Sequence, residues 1–492
     1  MKQSKSAILC GCAALLALLA TSACGKETVS ANTETETLPV PETEAVTEPH
    51  YYREAGIPDK DFGGKEFKIL QHGPDGADSV GFFEYDTDAL NGEKLNDAVF
   101  ERNRRIEDAF HVTVNAYSDE LPAQTAKKLI LAGDDTYHVI ADWPMQITAV
   151  STDGVFANLL NVSSINTENV WWNQSAIDNF QIAGKLYLIT GDYVLYEKQR
   201  LFCVYYNSAI AQKLDMGDLY QMVRDGKWTI DMMNTYAKEA SNDTNGDGKM
   251  RAGEDEFGFD SGSFTVLHYL LYGMDNHLAV REPDGTYTLT YLSEHMVDSV
   301  EKLKGLLDKN VSVYHEDIYQ NFGNARMYFQ LGTTLFYHDV LHSMRLIDSD
   351  IAYGVLPQPK FDEAQEKYLT SVHYAMSGAL ALPANNPDFE MTGILLEALS
   401  ADSHYTTLPL FVEEILKVKN APDPGASEMI TLIFDNIMHD CFNLYSVGSA
   451  DSRIYENLYS NRGNNYVSAM EKSVNAVTKA FDKLYETYRN LE

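Results

Sequence analysis

Basic residues are scarce in this sequence. Its 492 residues hold 38 Lys and Arg against 72 Asp and Glu, a formal net charge of −34. A surface this acidic repels phosphate backbones, which excludes nucleic-acid binding. It also means that attachment to a membrane needs a covalent or hydrophobic device. Cysteine is scarcer still, at 5, and Cys10, Cys12 and Cys24 crowd the N-terminus. The remaining Cys203 and Cys441 stand in apolar surroundings and are expected as buried free thiols, not as a disulfide framework. The motifs GxSxG, GxxxxGKS/T, HExxH, GxGxxG and CxxC are missing, which removes several common catalytic and nucleotide-binding frames. A glycosidase's two carboxylates have no spacing visible in sequence, so a secreted glycan-active enzyme stays open on this ground alone.

What is present starts at the N-terminus. Lys2 and Lys5 precede an apolar run from Ala7 to Ala20, and the small residues Thr21, Ser22 and Ala23 follow. The run is too short to span a bilayer comfortably, and the layout over residues 1–23 is that of a secretory signal. Cys24 directly after it resembles the bacterial lipobox, with Thr21 where an aliphatic residue is usual. That resemblance implies that Cys24 becomes the lipidated first residue of the mature chain. Residues 24–58, including TETETLPVPETEAVTEP, carry almost no core-forming side chains and read as an acidic tether. A lipid and a tether would hold the body on the extracytoplasmic face of a membrane.

Past the tether, strand and helix patterns alternate. KEFKILQ (65–71), 111–116 and YHVIA (137–141) read as strands, with helices over 95–110 and 122–132 between them. Such alternation predicts βαβ units and a mostly parallel sheet, with ligands at the carboxyl ends of the strands. Further strands are predicted at 185–190, 202–206, 333–337, 351–356 and 379–382. Asn207 and Thr229 stand as helix caps. Val467, Met470, Val474, Val477, Phe481, Leu484 and Tyr488 form one apolar stripe, which predicts a single long C-terminal helix.

Asp243 to Glu254 fits the whole twelve-residue pattern D-x-N-x-D-G-x5-E. Calcium takes six to eight hard oxygens in a compact shell. Asp243, Asn245 and Asp247 would supply side-chain oxygens, Lys249 its carbonyl, Arg251 a water and Glu254 both carboxylate oxygens. The incoming helix is predicted over 230–240, but Glu256-Phe-Gly-Phe reads extended, so the outgoing helix is missing. An unpaired loop of this kind is expected to staple the structure with Ca2+ and not to sense it.

GDDTYHVI (133–140), GKLYLIT (184–190), VYYN (204–207), KWT (227–229) running on to DTNGDG, YGVLPQPK (353–360) and SGALALPANNPD (377–388) occur in this order. Together they resemble the extracellular solute-binding proteins (family 1) of ABC importers, from about residue 60 to the C-terminus. The resemblance implies an α/β, two-lobed periplasmic-binding-protein-like fold (type 2), hinged around a central cleft. The lobes would be 59–195 with 372–408 and 196–371 with 409–492, joined by crossings near 191–199, 357–372 and 401–408. It implies a monomer that binds a small solute without altering it, serves the permease subunits of an importer and has no enzymatic activity.

Aromatic loops make a carbohydrate, most simply an oligosaccharide, the expected solute, since ring faces stack and hydroxyls donate to carboxylates. A peptide receptor of the same fold is the alternative. Asp142 and Trp143, directly after a strand, are candidate contacts, and one of Trp171 and Trp172, here Trp172, should line the cleft. Tyr337, His338 and Asp339 follow a strand. His373 and Tyr374 follow the second crossing, and Glu84 follows the first strand. His338 and His342 lack a third ligand, so zinc is not expected.

Overall fold

The computed structural model describes residues 51–73, 85–261, 267–313, 324–347, 350–417 and 424–491. The signal, Cys24 and Glu84 lie outside the described residues. The folded body starts earlier than the composition suggests. Tyr52 is buried with its ring 4.8 Å from that of Phe110, and Tyr51 stacks on Tyr405. Two aromatic anchors thus draw 51–58, expected as tether, into the core.

Among the described residues ten strands form: β1 Lys65–His72, β2 Val112–Asp119, β3 Val139–Asp142, β4 Phe202–Asn207, β5 Phe257–Ser261, β6 Ala279–Arg281, β7 Tyr287–Leu289, β8 Thr334–Val340, β9 Tyr353–Leu356 and β10 Ala379–Ala381. The first sheet has the order β10-β3-β1-β2. β1 pairs parallel with β2 and with β3, and β10 runs antiparallel to β3. The second sheet has the order β5-β8-β4-β9, and β6 and β7 form a hairpin. The expected parallel pairing therefore holds for β1 to β3, while β4 pairs antiparallel with both its neighbours.

The helix Lys94–Phe110 follows the spacing of its apolar residues, with Leu95, Val99, Ile106 and Phe110 buried. Pro122 opens the helix Pro122–Leu131, where its missing N–H costs nothing. Asn207 and Thr229 both cap, accepting from Ile210 N and Met232 N. The C-terminal stripe divides into Tyr466–Glu471 and Val474–Asn490. Ser473 Oγ donates to the Met470 carbonyl, in competition with the helical ladder, and Val467 stays exposed.

Two stretches of chain join the sheets: 190–201 before β4 and 357–378 after β9. They run antiparallel side by side. Ile189 and Leu380 exchange N–H···O bonds, Phe202 N donates to Ser371 O, and His373 N donates to Arg200 O. Residues 185–190 form isolated bridges and no full strand. Gly191 sits where a Cβ would lie 2.3 Å from the Trp171 carbonyl oxygen, so only glycine lets the chain turn away here. The third passage lies later than 401–408. Helix Thr407–Lys417 still packs on Lys94–Phe110, and the next helix, Pro424–Asp435, packs on β9. Among the described residues no helix is long and apolar enough to cross a membrane.

Candidate functional site

The end of β3 and the two joining strands meet at one place. Asp142 closes β3 and is buried. Its Oδ2 accepts from Ala123 N at 2.9 Å, in the first turn of a helix. Its Oδ1 accepts from Trp143 N at 2.7 Å and meets His72 Nδ1 at 3.1 Å. The carboxylate is thus committed to the protein, where a helix N-terminus favours it. What it positions is a stacked pair: the His72 and Trp143 rings lie 4.4 Å apart at 27°. Trp143 is half-buried, and its Nε1 N–H has no partner among the described residues. Pro144 then starts a helix whose Met145 N reaches the Tyr374 carbonyl.

A second aromatic cluster, the floor, gathers where the joining strands pair. Phe202 stacks on Tyr269 at 4.4 Å and on His338 at 5.2 Å, and His373 stacks on Tyr269 at 5.8 Å. His268 borders Tyr269 and Tyr455, and its Nε2 lies 3.0 Å from Asp451, which also accepts from the Tyr272 hydroxyl. Burial holds His338 down to about 3, and burial with the neighbouring Arg200 charge holds His373 down to about 4, so both are neutral. Gln358 donates to His338 Nε2, which puts the proton on Nδ1, where it has no partner among the described residues. Arg200, Gln199, Ser377 and His373 also hold buried polar atoms without partners among the described residues. Unmatched polar atoms around stacked rings are what a polar, ring-shaped guest needs.

The strands bring together some of the expected residues and separate others. His338 and His373 belong to the floor, and Trp143 stands at the end of β3 against His72. Tyr337 and Asp339 lie on the opposite face of β8, as the period of two requires. The Tyr337 hydroxyl donates to Asp339, which also accepts from Ser343 Oγ at 2.7 Å. The Tyr374 hydroxyl accepts from Asp440 N and meets His439 Nδ1 at 3.1 Å, inside the core. Trp172 borders an open pocket that Asn173, Asp192, Lys198, His277 and His404 also line. It and Trp171 are both buried, and their indole N–H groups donate to the two oxygens of Glu397 at 2.9 and 2.8 Å. One buried carboxylate thus takes both tryptophans. Sequence reasoning missed His72, Arg200, Phe202, His268, Tyr269 and Asp451. Arg200, a charge at the start of the apolar run LFCVYY, was the one visible signal.

The acidic loop stands apart from this site. The incoming helix Ile230–Ala240 and the outgoing β5 both form. Asp243 accepts from Gly246 N and Gly248 N, Asn245 from Asp247 N, and Asp247 from Lys249 N. Gly248, with φ +78, supplies the sharp turn. Arg251 Nη1 donates to Asp247 Oδ2 at 2.6 Å and lies 3.5 Å from Glu254 Oε2. No group of three or more His, Cys, Asp or Glu that could hold a metal forms among the described residues. The first half of the loop has the oxygens a hard cation needs. In the second half the guanidinium takes an oxygen of Asp247. Cys203 and Cys441 are buried and free, and burial pushes both thiols up.

No protein-family model and no curated protein matches the sequence. Solved structures do. A cyclo/maltodextrin-binding protein complexed with maltotetraose is 13% identical, with a TM-score of 0.56 over 84% of this chain and 96% of that one. An ABC substrate-binding protein of Listeria monocytogenes in complex with cycloalternan is 14% identical, with a TM-score of 0.51 over 85% of this chain and 99% of that one. The maltose/maltodextrin-binding domain of Bdellovibrio bacteriovorus, bound to maltotriose, is 13% identical, with a TM-score of 0.51 over 85% of this chain and 100% of that one. These likenesses show the fold of the chain: α/β, two-lobed and of the kind that solute-binding proteins use.

Proposed function

We propose that this protein is the solute-binding component of an ABC importer and that it binds a carbohydrate of oligosaccharide size without altering it. One observation carries the reading: stacked rings and unmatched polar atoms lie together where the two joining strands pair, and the helix that follows Trp143 bonds to the second of those strands through Met145 N. Rings offer faces to sugar C–H groups, and the polar atoms offer partners to hydroxyls. The fold shared with structures that hold maltotetraose, cycloalternan and maltotriose supports it. Two lobes, divided at the joining strands, would close on the guest and present the closed form to permease subunits. The protein would act as a monomer, tethered through lipidated Cys24 on the extracytoplasmic face. Calorimetry and thermal shift against oligosaccharides and tripeptides, with product analysis of each mixture, test the reading. Saturable sugar binding without product supports it. Peptide binding alone, or turnover of a sugar, refutes it. Metabolic labelling with a clickable fatty acid, lost in Cys24→Ala, tests the anchor.

We also propose Ca2+ in the loop from Asp243 to Glu254, as a staple between the helix before it and β5. Supporting this are the complete ligand pattern and the turn at Gly248. Binding would have to draw Asp247 and Glu254 away from Arg251. A melting temperature that falls with chelator and recovers with Ca2+ supports the staple, and one unmoved by either removes it.

A further inference from the structure

Among the described residues, buried Arg102 and half-buried Arg105 are matched. Arg102 donates to Asn103 Oδ1, Ser403 Oγ and the Tyr85 carbonyl, and lies 4.6 Å from the Tyr193 ring centroid. Arg105 forks onto Asp402 at 2.9 and 2.6 Å. Arg200 differs. It is 7% exposed, its guanidinium lies 4.9 Å from the Tyr196 ring centroid, and its head makes a single hydrogen bond, from Nη2 to the Tyr196 hydroxyl at 2.7 Å. Its Nε is buried without a partner, and no carboxylate pairs with it among the described residues. A desolvated guanidinium without a counter-charge is strongly unfavourable unless something else supplies one.

The surroundings do not supply it. Asp142 is spent on Ala123 N, Trp143 N and His72, and Asp451 on the Tyr272 hydroxyl and His268. His373, whose N–H bonds the Arg200 carbonyl, is neutral. Gln199 Nε2 and Trp143 Nε1 are spare N–H donors, and the carboxylate nearest in the chain, Glu197, lies 3.7 Å from Lys198 Nζ and forms no ion pair with Arg200 among the described residues. Lone N–H donors around one positive charge call for an acceptor that carries negative charge. The planar fork of arginine matches a carboxylate in two parallel bonds. The chain's own −34 charge does not oppose this at contact range, because salt screens distant charges over about 8 Å.

We propose that the solute is an acidic carbohydrate whose uronate-type carboxylate docks on the Arg200 guanidinium while a sugar ring lies against Trp143. This rests on the carbohydrate reading and narrows it. The test is calorimetry on the full chain with trisaccharides of galacturonate, glucuronate and mannuronate. Each is paired with its carboxyl-reduced neutral counterpart, and maltotriose and tripeptides are included. An acidic probe should bind about 30-fold more tightly than its reduced partner, about 2 kcal/mol at 1.4 kcal/mol per decade. Arg200→Gln should bring that ratio to about one, and Arg200→Lys, which keeps the charge without the fork, should leave it between the two. Melting of the unliganded variants checks that they fold, and the Lys variant stands in if the Gln variant does not. A ratio near one in the parent protein, or an unchanged ratio in both variants, overturns the inference while sugar binding stands. Failure of every acidic probe also overturns it. The carbohydrate reading survives that outcome if neutral sugars bind and falls with it if only tripeptides do.

Discussion

Asp142 and Trp143 are adjacent, and the structure gives them different work, which a pair of substitutions separates. Asp142 touches protein on both oxygens and holds the His72–Trp143 stack in place. Trp143 alone offers a face and a spare N–H. Covering roughly 80 Å² of ring face at about 25 cal/mol per Å² is worth about 2 kcal/mol, so Trp143→Ala should weaken sugar binding about 30-fold. The same change should cost little stability, because the ring is only half-buried. Asp142→Asn keeps one acceptor but faces the N–H groups of Ala123 and Trp143 with an amide that can satisfy only one of them. Leaving one buried donor unmatched costs about 1–3 kcal/mol, and loss of the charge at the helix N-terminus adds about 0.5 kcal/mol. Urea unfolding should therefore show a lower midpoint at unchanged slope, while affinity falls about 5-fold at most, through looser placement of the indole. The paired measurement is calorimetric affinity and denaturation midpoint for both variants. If Asp142→Asn abolished binding without moving the midpoint, Asp142 would be a direct partner of sugar hydroxyls and its assignment as a positioning residue would be wrong.

Glu397 accepts from Trp171 Nε1, Trp172 Nε1, Asn166 N and Asn169 Nδ2, all within 2.9 Å. Glu397→Gln puts an amide against two of these donors and should cost about 2–4 kcal/mol in urea unfolding; a loss under 0.5 kcal/mol would show that the four bonds do not hold this corner. His338 sets a pH dependence. Burial holds its folded value at about 3, below the ordinary 6.5. Between those values the unfolded chain takes a proton that the folded chain refuses, so stability falls as pH drops below about 6.5, by about 1.4 kcal/mol per unit for one such group. His338→Gln should flatten that slope in melting curves at pH 5 and 7, and an identical slope in the variant would refute it. Asp260 has the opposite sign, since burial raises its carboxyl well above the ordinary range. The folded protein then keeps a proton that the unfolded chain loses, and Asp260→Asn should stabilise more at pH 8 than at pH 4.

Elements that owe their form to local chemistry could be read from the sequence, and those that owe it to distant partners could not. The helix Lys94–Phe110, the caps Asn207 and Thr229 and strands β1 to β4 follow from spacing and side-chain type within a few residues. The break at Ser473 and the failure of 185–190 to form a full strand depend on neighbours far along the chain, such as Tyr291 at Ser473 and Leu380 at Ile189. The site divides the same way. Trp143 and His338 are visible because each follows a predicted strand, although β8 runs on to Val340 and takes His338 in. Alternation along β8 could have told His338 from Tyr337 and Asp339, but only once the buried face was known. Trp172 shows only half of its role locally: an aromatic in a polar loop looks like a ligand contact, while the acceptor of its indole N–H, Glu397, lies 225 positions away. Arg200 carries the same lesson with the opposite sign. A cation beside an apolar run suggests a snorkelling edge residue, whose charge water would satisfy. Pairing of the two joining strands instead places it under Tyr196 and beside His373, away from water. What the fold withholds from this arginine, a counter-charge, is information that no local pattern contains.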